Sequence, residues 1–180
     1  MKVTETKLKG AYILEPRIFN DSRGYFFESY NKKTFHELGI MTEFQQDNHS
    51  YSVKGTLRGL HYQLEPMAQE KLVRVIEGEV LDFIVDIRKK SPTFGEWVSV
   101  KLSGENRKSF YVPVGFAHGF CVLSETVHFL YKCSNLYSPK DERGIIWNDP
   151  ELAIDWQIEN PIISERDQKN PLFKDVIDFF

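Results

Sequence analysis

Two short stretches each hold one histidine among residue types that suit chemistry: His61 in RGLHYQ, residues 58–63, and His118 in VPVGFAHGF, residues 112–120. A metal centre in a β-barrel needs several nitrogen and oxygen donors converging at about 2.0–2.2 Å. An H-x-H pair on one strand would supply two of them, but Gln63 stands where the second histidine would be. Glutamine is a weak neutral ligand, so a tight three-histidine site is not encoded and no metal is expected. A lone histidine is then either a satisfied structural residue or a base whose neutral form is available at cellular pH. Arg58, Lys71 and Arg74 add positive charge close to His61. In a buried site they would hold phosphates or stabilise an oxyanion; otherwise they are ordinary surface cations.

Other residues are candidates on weaker grounds. Tyr131, Cys133, Asn135 and Tyr137 share strand parity, so a regular strand would point both tyrosines to one side, as core fillers or as proton donors. FNDSRGYFFESY puts Arg23 in a turn and Glu28 in the strand after it, and QQDNHS offers amides at Gln46 and Asn48. Amides and an arginine fork suit a sugar or a diphosphate, although turn formation alone explains both segments. Glu142 and Arg143, in SPKDERG, read as a solvated turn. His36, His49 and His128 read as structural or surface residues. Arg58 and His61 are three apart and would face opposite ways in an unbroken strand, unless Gly59 hosts a bulge that re-aims one of them.

The elements that must position these groups are short strands. Runs such as AYILEPRIF, TLRGLHYQ, KLVRVI, EVLDFIVDI, EWVSVKL, SFYVPV, GFCVL and VHFLYKCSNLY are broken by Gly, Pro, Asn, Asp and Ser from residue 11 to about residue 147. NKKTFHELG, residues 31–39, reads as a helix with an asparagine cap, and FKDVIDFF reads as a final short helix. Regularly punctuated strands in one domain, residues 1–180, imply an all-β fold: a sandwich, jelly roll or small barrel with a few short helices. Such folds often hold ligands in the mouth or interior. The net charge of −3 comes from intermixed acids and bases, so no face advertises nucleic acid. No signal-peptide core or membrane span is visible, which predicts a cytoplasmic protein, and Cys121 and Cys133 read as buried reduced thiols.

Seven segments, in order, resemble one known family. FNDSRGYFFESY, QDNHS, LRGLHYQ, EKLVRVIEGEV, VPVGFAHGF, YKCSNLYSPKDERGIIWNDP and ISERDQKNP are similar to motifs of the dTDP-4-dehydrorhamnose 3,5-epimerases, over about residues 8–173. The resemblance implies a cupin-type jelly roll, a homodimer, no metal or organic cofactor, and a dTDP-linked 4-keto-6-deoxyhexose as substrate. Carried over by position, His61 matches the proton-abstracting base and Asp167 the carboxylate that orients it. Lys71 matches the cation beside the keto oxygen, and Tyr131 the proton donor on the opposite face. His118 matches a residue near the reacting sugar. Arg23, Glu28, Gln46, Asn48, Arg58, Glu142 and Arg166 match positions that hold nucleotide, diphosphate or sugar, and Tyr137 matches the aromatic that stacks on thymine. The segment around Arg23 to Glu28 is the expected loan to the neighbouring subunit. Arg166 departs from the family, which more often has lysine there, so its reach and fork geometry differ.

Three other readings compete. A relative that epimerises one carbon, or acts on another deoxysugar nucleotide, shares these motifs; a metal-dependent cupin oxygenase or a non-catalytic sugar-binding cupin would share only the fold.

Overall fold

The structure, a computed structural model, describes residues 1–180. In chain order, β1 (Lys2–Glu5), β2 (Tyr12–Glu15), β3 (Phe19–Asp21) and β4 (Gly24–Phe26) precede the helix α1 (Lys32–Glu37). Then come β5 (Gln46–Val53), β6 (Leu57–Gln63), β7 (Lys71–Glu77), β8 (Glu79–Asp86), β9 (Trp97–Ser103) and β10 (Ser109–Val112). β11 (Phe116–Val122), β12 (Thr126–Cys133) and β13 (Glu142–Gly144) complete the strands. A six-stranded sheet has the order β1-β2-β10-β7-β12-β5, and a five-stranded sheet the order β13-β6-β11-β8-β9. β3 and β4 form a separate hairpin.

The two larger sheets close on a shared core. Val73, Val75, Phe110 and Phe129 from one meet Ile84, Val100, Phe120 and Val122 from the other. β8 and β11 are buried at nearly every position, because the outer face of their sheet is covered as well. Leu57, Leu81, Phe83 and Cys121 on that outer face pack against Leu152, Trp156 and Phe173 from the C-terminal segment. Both cysteines are free and buried, as expected.

The helix forms where the sequence places it. Asn31 accepts a hydrogen bond from Thr34 N at 3.2 Å, and Phe35 docks against Leu14, Ile40, Leu72 and Tyr111 on the outer face of the six-stranded sheet.

Several expectations need correction. β1 is an edge strand whose KVTE sequence has one apolar residue, so its pairing with β2 leaves little pattern to read. The run AYILEPRIF is two strands, β2 and β3, with Pro16 in the break between them. FKDVIDFF contains only a 3₁₀ turn, Phe173–Asp175. Beyond it the chain spends its backbone on the segment after β8, with Phe180 N donating to Ile87 O at 3.2 Å and Lys89 N donating to Phe180 O at 2.7 Å. A helix could not make those bonds. β12 ends at Cys133, so the parity argument does not reach Asn135 or Tyr137. Glu142 and Arg143 belong to β13, paired with β6, and are not a solvated turn.

Candidate active site

Between the two sheets opens a cleft of about 540 Å³, adjoined by a smaller pocket of about 220 Å³; His61, Lys71 and Tyr131 line both. The larger also takes Arg58, His118, Arg166 and Asp167, and the smaller takes Gln46, Asn48, Tyr137 and Glu142. Of the candidate residues Arg23, Glu28 and Arg74 line neither, and Arg74 instead lies over the Phe27 ring, 5.7 Å from its centroid. Arg23 pairs with Asp21 at 2.6 Å in the β3–β4 hairpin, and Glu28 accepts from Asn31 at 2.8 Å.

Strand register explains how residues far apart in sequence converge. In the six-stranded sheet Tyr131 stands opposite Asn48 on one side and Val73 on the other, while Cys133 stands between Gln46 and Lys71. Those are two neighbouring rows of one inward face, as period-two alternation requires. In the five-stranded sheet His61 lies directly opposite His118. His61 and Tyr131 therefore come from opposing sheets and flank the cleft from its two sides. Packed sheets are about 10 Å apart, which leaves room for a sugar ring where the core side chains stop.

Arg58 and His61 both face this cleft, and Gly59 is the reason. β11 pairs His118 with His61 and Phe120 with Arg58, so three steps along β6 match two along β11. The extra residue is a bulge, which restores a common direction to the two side chains. Gly59 has φ +124, and a Cβ there would lie 2.6 Å from Gly119 Cα and 2.8 Å from His118 O. Gly59→Ala should therefore cost about 1–3 kcal/mol from backbone strain, readable as a lower urea midpoint. It should also lower turnover about 10²-fold, since sub-ångström placement of His61 is at stake.

His61 Nε2 and Asp167 Oδ1 are 2.7 Å apart, and Asp167 is 4% exposed. Asp167 Oδ2 also accepts from Gly59 N at 3.3 Å, so the bulge and the dyad share one carboxylate. Burial pushes the Asp167 carboxyl up, but the His61 partner and the Gly59 N–H more than offset this and hold it below its ordinary value. An ionised Asp167 accepts, so the Nε2–H of His61 donates, leaving Nδ1 as the basic nitrogen. On the other side, burial raises the pKa of Tyr131 and keeps its phenol protonated. Lys71 is pulled down by burial, while the nearby carboxylates of Glu142 and Asp82 oppose that shift.

Gln63 answers the question its position raised. Its amide nitrogen donates to Met67 O at 2.6 Å and Leu136 O at 3.2 Å, and its oxygen accepts from Ser138 N at 2.9 Å. The side chain clamps the loops after β6 and β12 and is not offered to a ligand. No three His, Cys, Asp or Glu side chains are grouped so as to hold a metal ion. At the rim, Tyr137 donates to Glu142 Oε2 at 2.6 Å, and Arg166 bridges Glu142 and Tyr137 with its fork. A charged residue behind the site escaped sequence reasoning. Asp82, fully buried on β8, meets His118 Nε2 with both carboxylate oxygens, at 3.0 and 2.9 Å. The available signal was an aspartate inside the apolar run VLDFIV.

The two-sheet roll with its ligand-sized mouth is a jelly roll of the cupin type. Residues 5–175 match the family described as dTDP-4-dehydrorhamnose 3,5-epimerase. A dTDP-4-dehydrorhamnose 3,5-epimerase of Shigella flexneri is 54% identical over 100% of this chain and 99% of its own length. The crystal structure of the enzyme of that name from Elizabethkingia anophelis superposes with a TM-score of 0.93 at 53% identity, covering 97% of each chain. A dTDP-6-deoxy-D-glucose-3,5-epimerase from Legionella pneumophila, in complex with dTDP-4-keto-L-rhamnose, gives 0.94 at 50% identity, covering 98% of this chain and 94% of that one. This chain belongs to the dTDP-4-dehydrorhamnose 3,5-epimerase family, an isomerase family with the fold that its motifs implied.

Proposed function

We propose that residues 1–180 act as one epimerase domain, inverting the two carbons that flank the keto group of dTDP-4-dehydro-6-deoxy-D-glucose to give dTDP-4-dehydro-L-rhamnose, a step in dTDP-L-rhamnose formation. The observation that carries this is the opposed pair: His61 of one sheet, bonded to Asp167, and a half-buried, protonated tyrosine on the other, with Lys71 lining the same cleft. Epimerisation next to a carbonyl removes a proton from one face and returns one to the other, so it needs groups on both sides of the ring. His61 takes the proton and Asp167 steadies the imidazolium that results. Lys71 faces the enolate oxygen, a placement worth roughly 10²–10³-fold in rate for such groups. Tyr131 returns a proton from the opposite face. The carbon ends at its starting oxidation level, so the step consumes no redox equivalent.

Arg58, Arg166, Gln46, Asn48, Glu142 and Tyr137 bind the nucleotide-diphosphate end in this reading, Tyr137 by stacking on thymine, and His118 contacts the sugar. Arg23 and Glu28 act in a homodimer. Their hairpin exposes Phe19, Tyr25 and Phe26 at 48%, 54% and 69%, an apolar surface fit for a second copy. Sedimentation at micromolar concentration should give twice the chain mass; a monomer that turns over substrate at the full rate would remove this loan. The two buried free thiols suit a reducing cytoplasm, and no helix is long and apolar enough to cross a membrane.

Incubation with dTDP-4-keto-6-deoxyglucose in deuterated water tests the reaction. Label at both carbons beside the keto group is expected. Label at one carbon would favour the one-carbon epimerase, and none would defeat both readings.

A further inference from the structure

Asp82 is a fully buried carboxylate that has no part in the chemistry so far. It sits on β8 between Val80 and Ile84, both members of the core between the sheets, and is 0% exposed. A carboxylate there gives up its hydration, a cost of several kcal/mol that an apolar side chain would avoid. Its hydrogen-bond partner is His118 Nε2, reached by both oxygens, on the strand next to its own. His118 in turn lines the cleft beside Lys71 and directly opposite His61. The cleft thus holds two His–Asp pairs. His61–Asp167 opens to it, with the His61 side chain 28% exposed, whereas in the second pair His118 lines the wall at 8% and Asp82 lies behind it at 0%.

We propose that Asp82 is a positioning residue of this site: it fixes the His118 ring by accepting from Nε2–H, leaves Nδ1 to the ligand, and supplies the buried negative charge that keeps Lys71 an ammonium ion. The inference rests on the reading of the cleft as an epimerase site. The geometry of the Asp82–His118 contact carries it, in a cleft that His118 and Lys71 both line. Both oxygens point at one ring nitrogen, which sets the tautomer of His118 and directs its other nitrogen away from Asp82. The carboxylates of Glu142 and Asp82 oppose the pull of burial on Lys71, which has no hydrogen-bonded counter-ion of its own. An ammonium ion in a desolvated cleft loses its proton readily unless negative charge stands near it. The titratable and charged groups sharing these pockets with Lys71 are Tyr131 and Cys133 from β12, Arg58 and His61 from β6, His118 from β11, Glu142 from β13, and Tyr137, Arg166 and Asp167 from the segments beyond, with Asp82 of β8 behind His118. Burial pushes the Asp82 carboxyl itself upward, while His118 and Lys71 draw it back toward the anion.

Asp82→Asn keeps the shape and removes the charge. Loss of a buried negative charge lowers the pKa of Lys71, so the alkaline limb of kcat against pH should move to lower pH by about one unit. At neutral pH, kcat should fall on the order of 10–10²-fold with KM changed less than about threefold, because the enolate charge develops after binding. A folded Asp82→Asn enzyme whose alkaline limb stays in place overturns the proposal, whatever its kcat. If the variant does not fold, the wild-type protein decides. In ¹⁵N NMR of histidine-labelled protein, with the His118 signals assigned by their loss in His118→Asn, a protonated Nε2 is expected, and a ring protonated at Nδ1 alone overturns it. Failure of wild-type turnover would instead strike the epimerase reading, which the NMR result does not depend on.

Discussion

His61→Ala is expected to lower kcat about 10³-fold, within the roughly 10²–10⁴-fold that a positioned general base supplies, with the fold intact. The effect is large because no other group near the cleft can replace it. His118, directly across the strand pair, has Nε2 committed to Asp82, and its ring is held deeper in the sheet. Substrate binding should change little, since Arg58, Arg166 and the amides of Gln46 and Asn48 are untouched. A steady-state assay separates the two parameters. Asp167→Asn should move kcat in the same direction, because an amide can donate as well as accept and no longer dictates which ring nitrogen carries the proton. Stability follows a definite sign as well. The Asp167 carboxyl is lowered in the folded protein, so its contribution is complete above the ordinary carboxylate range and is lost as pH falls through the lowered value.

Tyr131→Phe should lower net inversion about 10²–10³-fold while KM stays within a few-fold of wild type. Only the hydroxyl is removed. The ring keeps its place beside Phe129, with centroids 6.0 Å apart, and its strand keeps both neighbours. What disappears is the protonated phenol that burial maintains on the face opposite His61. The two variants therefore fail differently: one cannot form the enolate, and the other forms it but returns the proton to the side it came from.

Much of this was legible in the sequence, for identifiable reasons. The all-β architecture follows from turn residues spaced along short apolar runs, and α1 from its asparagine cap, Phe35 and Gly39. The family was legible in seven ordered motifs. The dyad came only with that resemblance and not from spacing, since His61 and Asp167 are 106 residues apart and only the fold brings them to 2.7 Å. Gly59 was identified as the place where a bulge would matter, but whether the chain bulges there depends on its partner strand, which spacing alone does not name. Gln63 first reads as a missing ligand because sequence shows residue types and not their partners; three backbone bonds reveal a clamp. Tyr137 reaches the smaller pocket through the loop after Cys133, not by strand parity. Asp82 was visible as a charged residue in an apolar run and passed unnoticed, because its significance lies in His118 on another strand.

The most direct test of the opposed His61–Tyr131 pair is wash-in of solvent deuterium into unconverted substrate, measured by NMR for both variants in deuterated water. His61 is partly open to solvent, so a proton it has taken can exchange before it returns. Expected is label in the starting sugar, with configuration retained, for Tyr131→Phe, and no label for His61→Ala. Label in the starting sugar with His61→Ala, or none with Tyr131→Phe, would contradict the assignment of base and acid to the two faces of the cleft.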